Sequence, residues 1–343
     1  MRKHLFLCAL GGVVLPAFAA SIAKASSVYV AETYTDSVAV IDTASDTVIH
    51  HIPVGDGPAG VAANGAETRV YVGLSGGSVA VIDATSDTVI KTVEVGSSPA
   101  SLAYNQVLNR LYVADGNGIT VIDAGSNKVV DTITGIGRVG LCSCIAVSRG
   151  GDRLYVADDE ISGLGGYIHV IDTATDQILK GVYVSPNVSG VALANDDRYL
   201  YTSDWPVSGG PEYTATLRIL DPTDYSLSVF ARPGDGAGSS VLPSTNGAHL
   251  YAPSFGSLVI IDLATAERTP LYLASSGQGV ADYSYGVGFS PADNKLYVAA
   301  SAFNAVSVVD TVKAQYLGAI TVGYFPNGLV VLTGGVIFHG NFE

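Results

Sequence analysis

Seven aspartates close the same kind of segment along the chain: Asp42, Asp83, Asp123, Asp172, Asp221, Asp262 and Asp310, in AVID, AVID, TVID, HVID, RILD, VIID and SVVD. A carboxylate repeated so regularly can serve catalysis or local structure. As a general acid or metal ligand it is needed once per site, among partners. As a turn residue it accepts backbone N–H bonds and is needed once per turn. The residues that follow decide the matter, because TASDT, ATSDT, AGSNK and TATDQ are all turn-formers and lead into a second β-prone run. The spacing therefore predicts seven hairpin carboxylates rather than one reaction centre.

Other chemistry is sparse. The chain has no Gly-x-Ser-x-Gly elbow, phosphate-binding loop, His-Glu-x-x-His pair or Cys-x-x-Cys-His haem signature. Of the six histidines, His4 precedes an apolar run and His50 and His51 fall on one predicted outer strand, while His169, His249 and His339 read as isolated side chains. No metal or cofactor site is expected from them. Cys142 and Cys144, in GLCSCIAVS, are candidates for a disulfide. Residues two apart in an extended strand lie about 6.6 Å apart, near the upper limit for such a bridge. Bridging would need a local bend, and buried free thiols are the other outcome.

The elements that position these residues follow from a second series. Tyr29, Tyr71, Tyr112, Tyr155, Tyr201, Tyr251 and Tyr297 sit in β-prone runs ahead of the seven aspartates and read mainly as packing residues. Both series advance by the same 268 residues (297 − 29 and 310 − 42), a mean period of about 45. Repeats of that length with only strand-like content predict an all-β, seven-bladed β-propeller with four-stranded blades. Short runs of small residues, GVAAN, SLAYN, CIAVS, GVALA, SSVLPS, GVGFS and GLVVL, supply the innermost strands, where crowding at the axis favours small side chains. The Tyr run is then second, the Asp run third, and runs such as DTVIKTVEV outermost. The first repeat lacks an inner strand, and the last inner run, residues 328–332, has no repeat of its own. Pairing of the C-terminal inner strand with the N-terminal strand is thus expected to close the ring and cover two sheet edges.

Units such as NRLYVADGNGITVIDAGSNKVVDTITGIG resemble YVTN-type propeller repeats, a family of exported bacterial and archaeal surface-layer-like proteins. The resemblance spans residues 28–332 and implies the fold more sharply than any activity, since propellers host unrelated sites. Relatives include surface and adhesion proteins, periplasmic enzymes and their accessory propellers. Propeller hydrolases and lactonases gather acidic, Asn or His residues at the central channel, whereas the inner runs here offer Asn64, Asn105 and little else.

Loops are the better guide to function. Connections from second to third strand and from fourth to the next first strand open on one face of a propeller. Residues 158–167, 203–216 and 275–286 are long connections of this kind. They carry Trp205, Tyr213, Tyr283 and Tyr285 beside Asp159, Glu160 and Asp204, a set suited to recognising a protein, peptide or polysaccharide. The same residues can also simply pack their own loops.

The first residues have the order of a secretory signal, with Arg2, Lys3 and His4 ahead of an apolar run shorter than the roughly 20 residues of a membrane span. A signal over 1–19 is expected, with an alternative end at 25, then the propeller over 26–333 and a short tail over 334–343. Removal of that segment leaves 31 acidic against 15 or 14 basic residues, a net charge of −16 or −17. Such a surface repels nucleic acid and anionic lipid. The expectation is an extracytoplasmic, monomeric, non-enzymatic scaffold that binds a protein, peptide or polysaccharide of the cell envelope. The alternative is a lactonase-like hydrolase, or an accessory subunit of quinoprotein metabolism, with its site at the channel mouth.

Overall fold

The computed structural model describes residues 26–116, 118–137, 144–158, 166–185, 188–204, 214–235, 240–254, 256–273 and 286–334. Within them the chain forms seven four-stranded antiparallel sheets, and the only helical element is a 3-10 turn at Ser301–Phe303. It is a seven-bladed β-propeller. Six blades run inner to outer in chain order, as in Pro58–Ala63, Arg69–Leu74, Ser78–Asp83 and Thr88–Glu94. The remaining blade is composite: Pro326–Leu332 is its inner strand, followed by Ser27–Glu32, Ser37–Asp42 and Thr47–Pro53. Ser27 faces Leu332, Val28 faces Val331 and Val30 faces Leu329, so the two ends of the propeller meet in one sheet.

Burial explains why the middle strands do not alternate. Each is covered on both faces by neighbouring blades, so Val28–Ala31 and Val38–Ile41 are fully buried as continuous apolar runs. Near the axis, crowding becomes steric exclusion. A Cβ on Gly60 would lie 2.5 Å from the Ala100 carbonyl oxygen, and one on Gly328 2.4 Å from that of Ala59. Only glycine lets three successive inner strands approach this closely.

The repeated tyrosines also tie blades together. Tyr297 donates to Asp46 Oδ1 at 2.8 Å, and Tyr29 donates to Asp87, in each case across to the hairpin turn of the next blade. Burial and then the neighbouring carboxylate push both phenols well above their ordinary pKa, which keeps them protonated as donors.

The outermost strands are free sheet edges, and a recurring irregularity blunts them. Pairing skips Ile49, Ile90, Val130, Leu179, Phe230 and Leu317, a bulged residue on the outer strand of each of six blades. A bulge breaks the regular ladder that another chain would need to add a strand.

Candidate functional site

The antiparallel order of each blade puts two kinds of connection on each face. Turns from first to second and from third to fourth strand share one face; turns from second to third strand and links between blades share the other. On the first face the seven repeated aspartates hold their hairpins. Asp42 Oδ1 accepts from Ser45 N at 2.8 Å, Asp83 from Thr85 N at 2.9 Å and Asp123 from Ser126 N at 2.7 Å. Asp172 accepts from Thr175 N at 3.0 Å, Asp221 from Thr223 N at 2.8 Å, Asp262 from Thr265 N at 2.8 Å and Asp310 from Lys313 N at 2.9 Å. These turn hydrogen bonds hold all seven carboxyls below their ordinary pKa.

That depression has a definite sign. A carboxyl more acidic in the folded than in the unfolded chain stabilises the fold above the unfolded pKa and loses this contribution as pH falls through the folded value. Asp176 and Asp197, raised by burial, act in the opposite direction but are outnumbered. The melting temperature is expected to hold from pH 7 to about 4.5 and then fall steadily below about pH 4, where free carboxylates titrate. Thermal melts across pH 3 to 7 check this; a flat profile would contradict it.

At the axis the inner strands line a channel of about 160 Å³, with small aliphatic and glycine positions such as Gly60, Ala100, Val191 and Gly288 along it and polar side chains, among them Gln106, Arg149, Asn195 and Asp197, also in its lining. Sites for small ligands usually offer several hundred Å³. Asn64 and Asn105 are engaged in turns: Asn64 Oδ1 accepts from Arg69 N at 2.8 Å, and Asn105 accepts from Leu108 N while donating to the Gly151 carbonyl at 2.8 Å. Among the described residues, no group of three His, Cys, Asp or Glu converges as a metal site. Cys144 is disulfide-bonded, and its Sγ lies 2.9 Å from the Ser189 carbonyl oxygen beside the channel; Cys142 lies outside the described residues.

The second face carries a set of four acids, of which only Asp204 figures among the expectations above. Glu32, Asp115, Asp158 and Asp204 each end a second strand, three residues after its Tyr, and each is at least 93% buried. The oxygens of Glu32, Asp115 and Asp158 bind the link arriving from the preceding blade, and those of all four bind the adjoining strands. Glu32 accepts from Gly323 N at 2.6 Å and Ser37 Oγ at 2.5 Å, with His51 Nδ1 at 3.0 Å. Asp115 accepts from Gly96 N at 3.1 Å and Thr120 Oγ1 at 2.6 Å. Asp158 accepts from Gly137 N at 2.9 Å and Tyr167 N at 3.0 Å, and sits 2.7 Å from His169 Nε2. Burial works to raise the Asp158 pKa, but its hydrogen bonds outweigh this and hold the carboxyl below its ordinary value. Asp204 accepts from Thr216 N at 2.7 Å and forms an ion pair with Arg218.

Two expectations change here. Asp204 is not an exposed carboxylate available to a ligand, because burial and Arg218 occupy it. His169 is not isolated, because the end of the preceding strand brings Asp158 against it. The signal was present as acid at the third position after Tyr, in YVAE, YVAD, YVAD and YTSD. These carboxylates brace the face and leave little capacity for chemistry.

Around this braced rim, the four longest intervals between consecutive strands all open on the same side: 134–144, 159–165, 205–213 and 273–286. Asp159, Glu160, Trp205, Tyr213, Tyr283 and Tyr285 belong to them and lie outside the described residues.

No family model and no curated protein matches the chain. Solved structures do. A functionally unknown protein from Desulfotomaculum acetoxidans DSM 771 superposes with a TM-score of 0.70 at 13% identity, over 90% of this chain and 99% of that one. The dihydro-heme d1 dehydrogenase NirN gives 0.60 at 15% identity, over 88% and 74%. Hydrazine synthase of Kuenenia stuttgartiensis gives 0.54 at 17%, over 86% and 83%. What they share with this chain is the fold. At such identities two enzymes and a protein of unknown function do not convey an activity. Among the described residues no helix is long and apolar enough to cross a membrane.

Proposed function

We propose that this protein is an exported, non-catalytic propeller of the YVTN-repeat type that binds a component of the cell envelope through its loop-rich face. The observation that carries the reading is the gathering of the four longest interstrand intervals on one rim, beneath which buried acids fix the strand ends. A rigid frame that presents variable loops is the usual way a scaffold places recognition residues. Trp205, Tyr213, Tyr283 and Tyr285 supply the aromatic groups that dominate binding energy at such surfaces, with Asp159 and Glu160 as polar neighbours. Export rests on the signal-like first residues, and the acidic surface directs partners away from nucleic acid.

Trp205→Ala is expected to weaken capture of envelope components about tenfold or more, as truncation of a central aromatic does. The measurement is a pull-down from native envelope extract, supported by Trp205 fluorescence titration. Capture equal to that of the unmodified chain, for every component retained, would remove this face from the account.

A further inference from the structure

The loop-rich face also carries a feature at the seam where the ring closes. Its turn Thr33–Asp36 joins the second and third strands of the composite blade, and residues 322–325 form the link that enters that blade from its neighbour. Tyr34 and Tyr324 project there, 69% and 64% exposed, more than almost any other large apolar side chain described. Phe325, next to Tyr324 in the chain, packs on Tyr34, with ring centroids 5.2 Å apart and planes tilted by 44°.

The backbone beneath is rigid and saturated. Thr33 N donates to the Phe325 carbonyl and Tyr34 N to that of Tyr324, both at 3.1 Å. Thr35 N donates to Glu32 O at 3.1 Å, Tyr324 N to Thr35 Oγ1 at 2.7 Å and Phe325 N to Asn304 Oδ1 at 3.0 Å. A peptide adding by main-chain pairing would need donors that are already used. Recognition here has to come from ring faces and side-chain oxygens.

A second observation marks the site as selected for its rings. The equivalent links read VGDGP at 54–58, VGSSP at 95–99 and VGYFP at 322–326. The fourth residue is left-handed in all three, with φ of 60° at Gly57, 53° at Ser98 and 58° at Phe325. A glycine or small polar residue takes that conformation at little cost, whereas a bulky aromatic is strained. Phe325 is half-buried beside two exposed rings, and strain held at such a position points to function.

We infer that Tyr34, Tyr324 and Phe325 form a platform that binds a neutral polysaccharide. The inference rests on the reading of this rim as a binding face, and it names the ligand chemistry. Sugar rings present apolar C–H faces that lie on aromatic rings, and their hydroxyls donate to oxygen acceptors. Exposed Asp36 and Asp56 stand on the two turns flanking the platform, with Asp36 Oδ1 accepting from Gly57 N at 3.0 Å. The chain's net charge of −14 disfavours an anionic polymer.

The test is electrophoresis of the folded chain through native gels cast with hydroxyethylcellulose, xylan, mixed-linkage β-glucan or polygalacturonate. Retardation by at least one of the three neutral polymers is expected, and none by polygalacturonate. Tyr34→Ala and Tyr324→Ala should each weaken it about tenfold, the equivalent of 1.4 kcal/mol, while Tyr34→Trp preserves it. Phe325→Gly should weaken binding yet melt no lower than the parent chain, a combination that a packing role alone would not produce. Binding lost in Trp205→Ala but kept in both tyrosine variants would overturn the platform while leaving the loop-rich face intact as a binding face. Retardation by no neutral polymer, with retention instead on immobilised denatured casein, would assign the platform to peptides and overturn the polysaccharide.

Discussion

A chain ending at Asn327 is expected to lose its cooperative unfolding transition and to aggregate. That truncation removes residues 328–332, which carry the buried side chains of Leu329, Val331 and Leu332. At about 1.5–3 kcal/mol for each buried aliphatic side chain, their loss amounts to roughly 5–9 kcal/mol, most of the 5–15 kcal/mol that holds a typical domain together. The damage is also topological. Without its inner strand, Ser27–Glu32 becomes a free edge of wholly buried residues, and Thr333 can no longer donate to Glu67 of the next blade. Urea unfolding with size-exclusion chromatography reads the outcome. A soluble monomer with one sharp transition at the parent midpoint would contradict the closure.

Arg218→Ala is expected to destabilise the chain by about 3–5 kcal/mol, because it strands the Asp204 charge in a buried site where, among the described residues, Thr216 N is the hydrogen-bond donor left to it. The cost comes from the unpaired charge more than from the lost pair, so Arg218→Ala combined with Asp204→Asn should recover at least half of it. Urea midpoints of the parent and both variants measure this. Equal stability of Arg218→Ala and the parent would mean that water reaches Asp204 and that the acids on this face are not structural braces.

The sequence made the fold legible because each unit repeats one message. Tyr and Asp at fixed offsets, small inner runs and glycine-rich turns all specify the same blade, and consistent local signals are easy to read. Closure could be read too, since the first repeat lacks an inner strand and Leu329–Leu332 supplies it. The aspartates at the ends of the third strands needed only their following turn residues to be interpreted. Other features were less visible for physical reasons. Glu32, Asp115 and Asp158 looked like ordinary strand ends and Asp204 like an exposed loop carboxylate, because their partners, Gly323, Gly96, Gly137 and Arg218, come from other strands or other blades. Long-range pairing of that kind leaves no local pattern. Tyr34 and Tyr324 were likewise ordinary aromatics 290 positions apart until ring closure set them side by side. The candidate site is therefore a property of the closed ring, and one-dimensional periodicity could reveal the scaffold but not what its seam assembles.

Crystallographic electron density for the chain tests the closed ring most directly. The account predicts seven radial sheets around one axis, with the strand at 326–332 lying between the axis and Ser27–Glu32 and with Val331 opposite Val28. Density showing another number of sheets, or showing Ser27–Glu32 as the innermost strand of its blade, would contradict it.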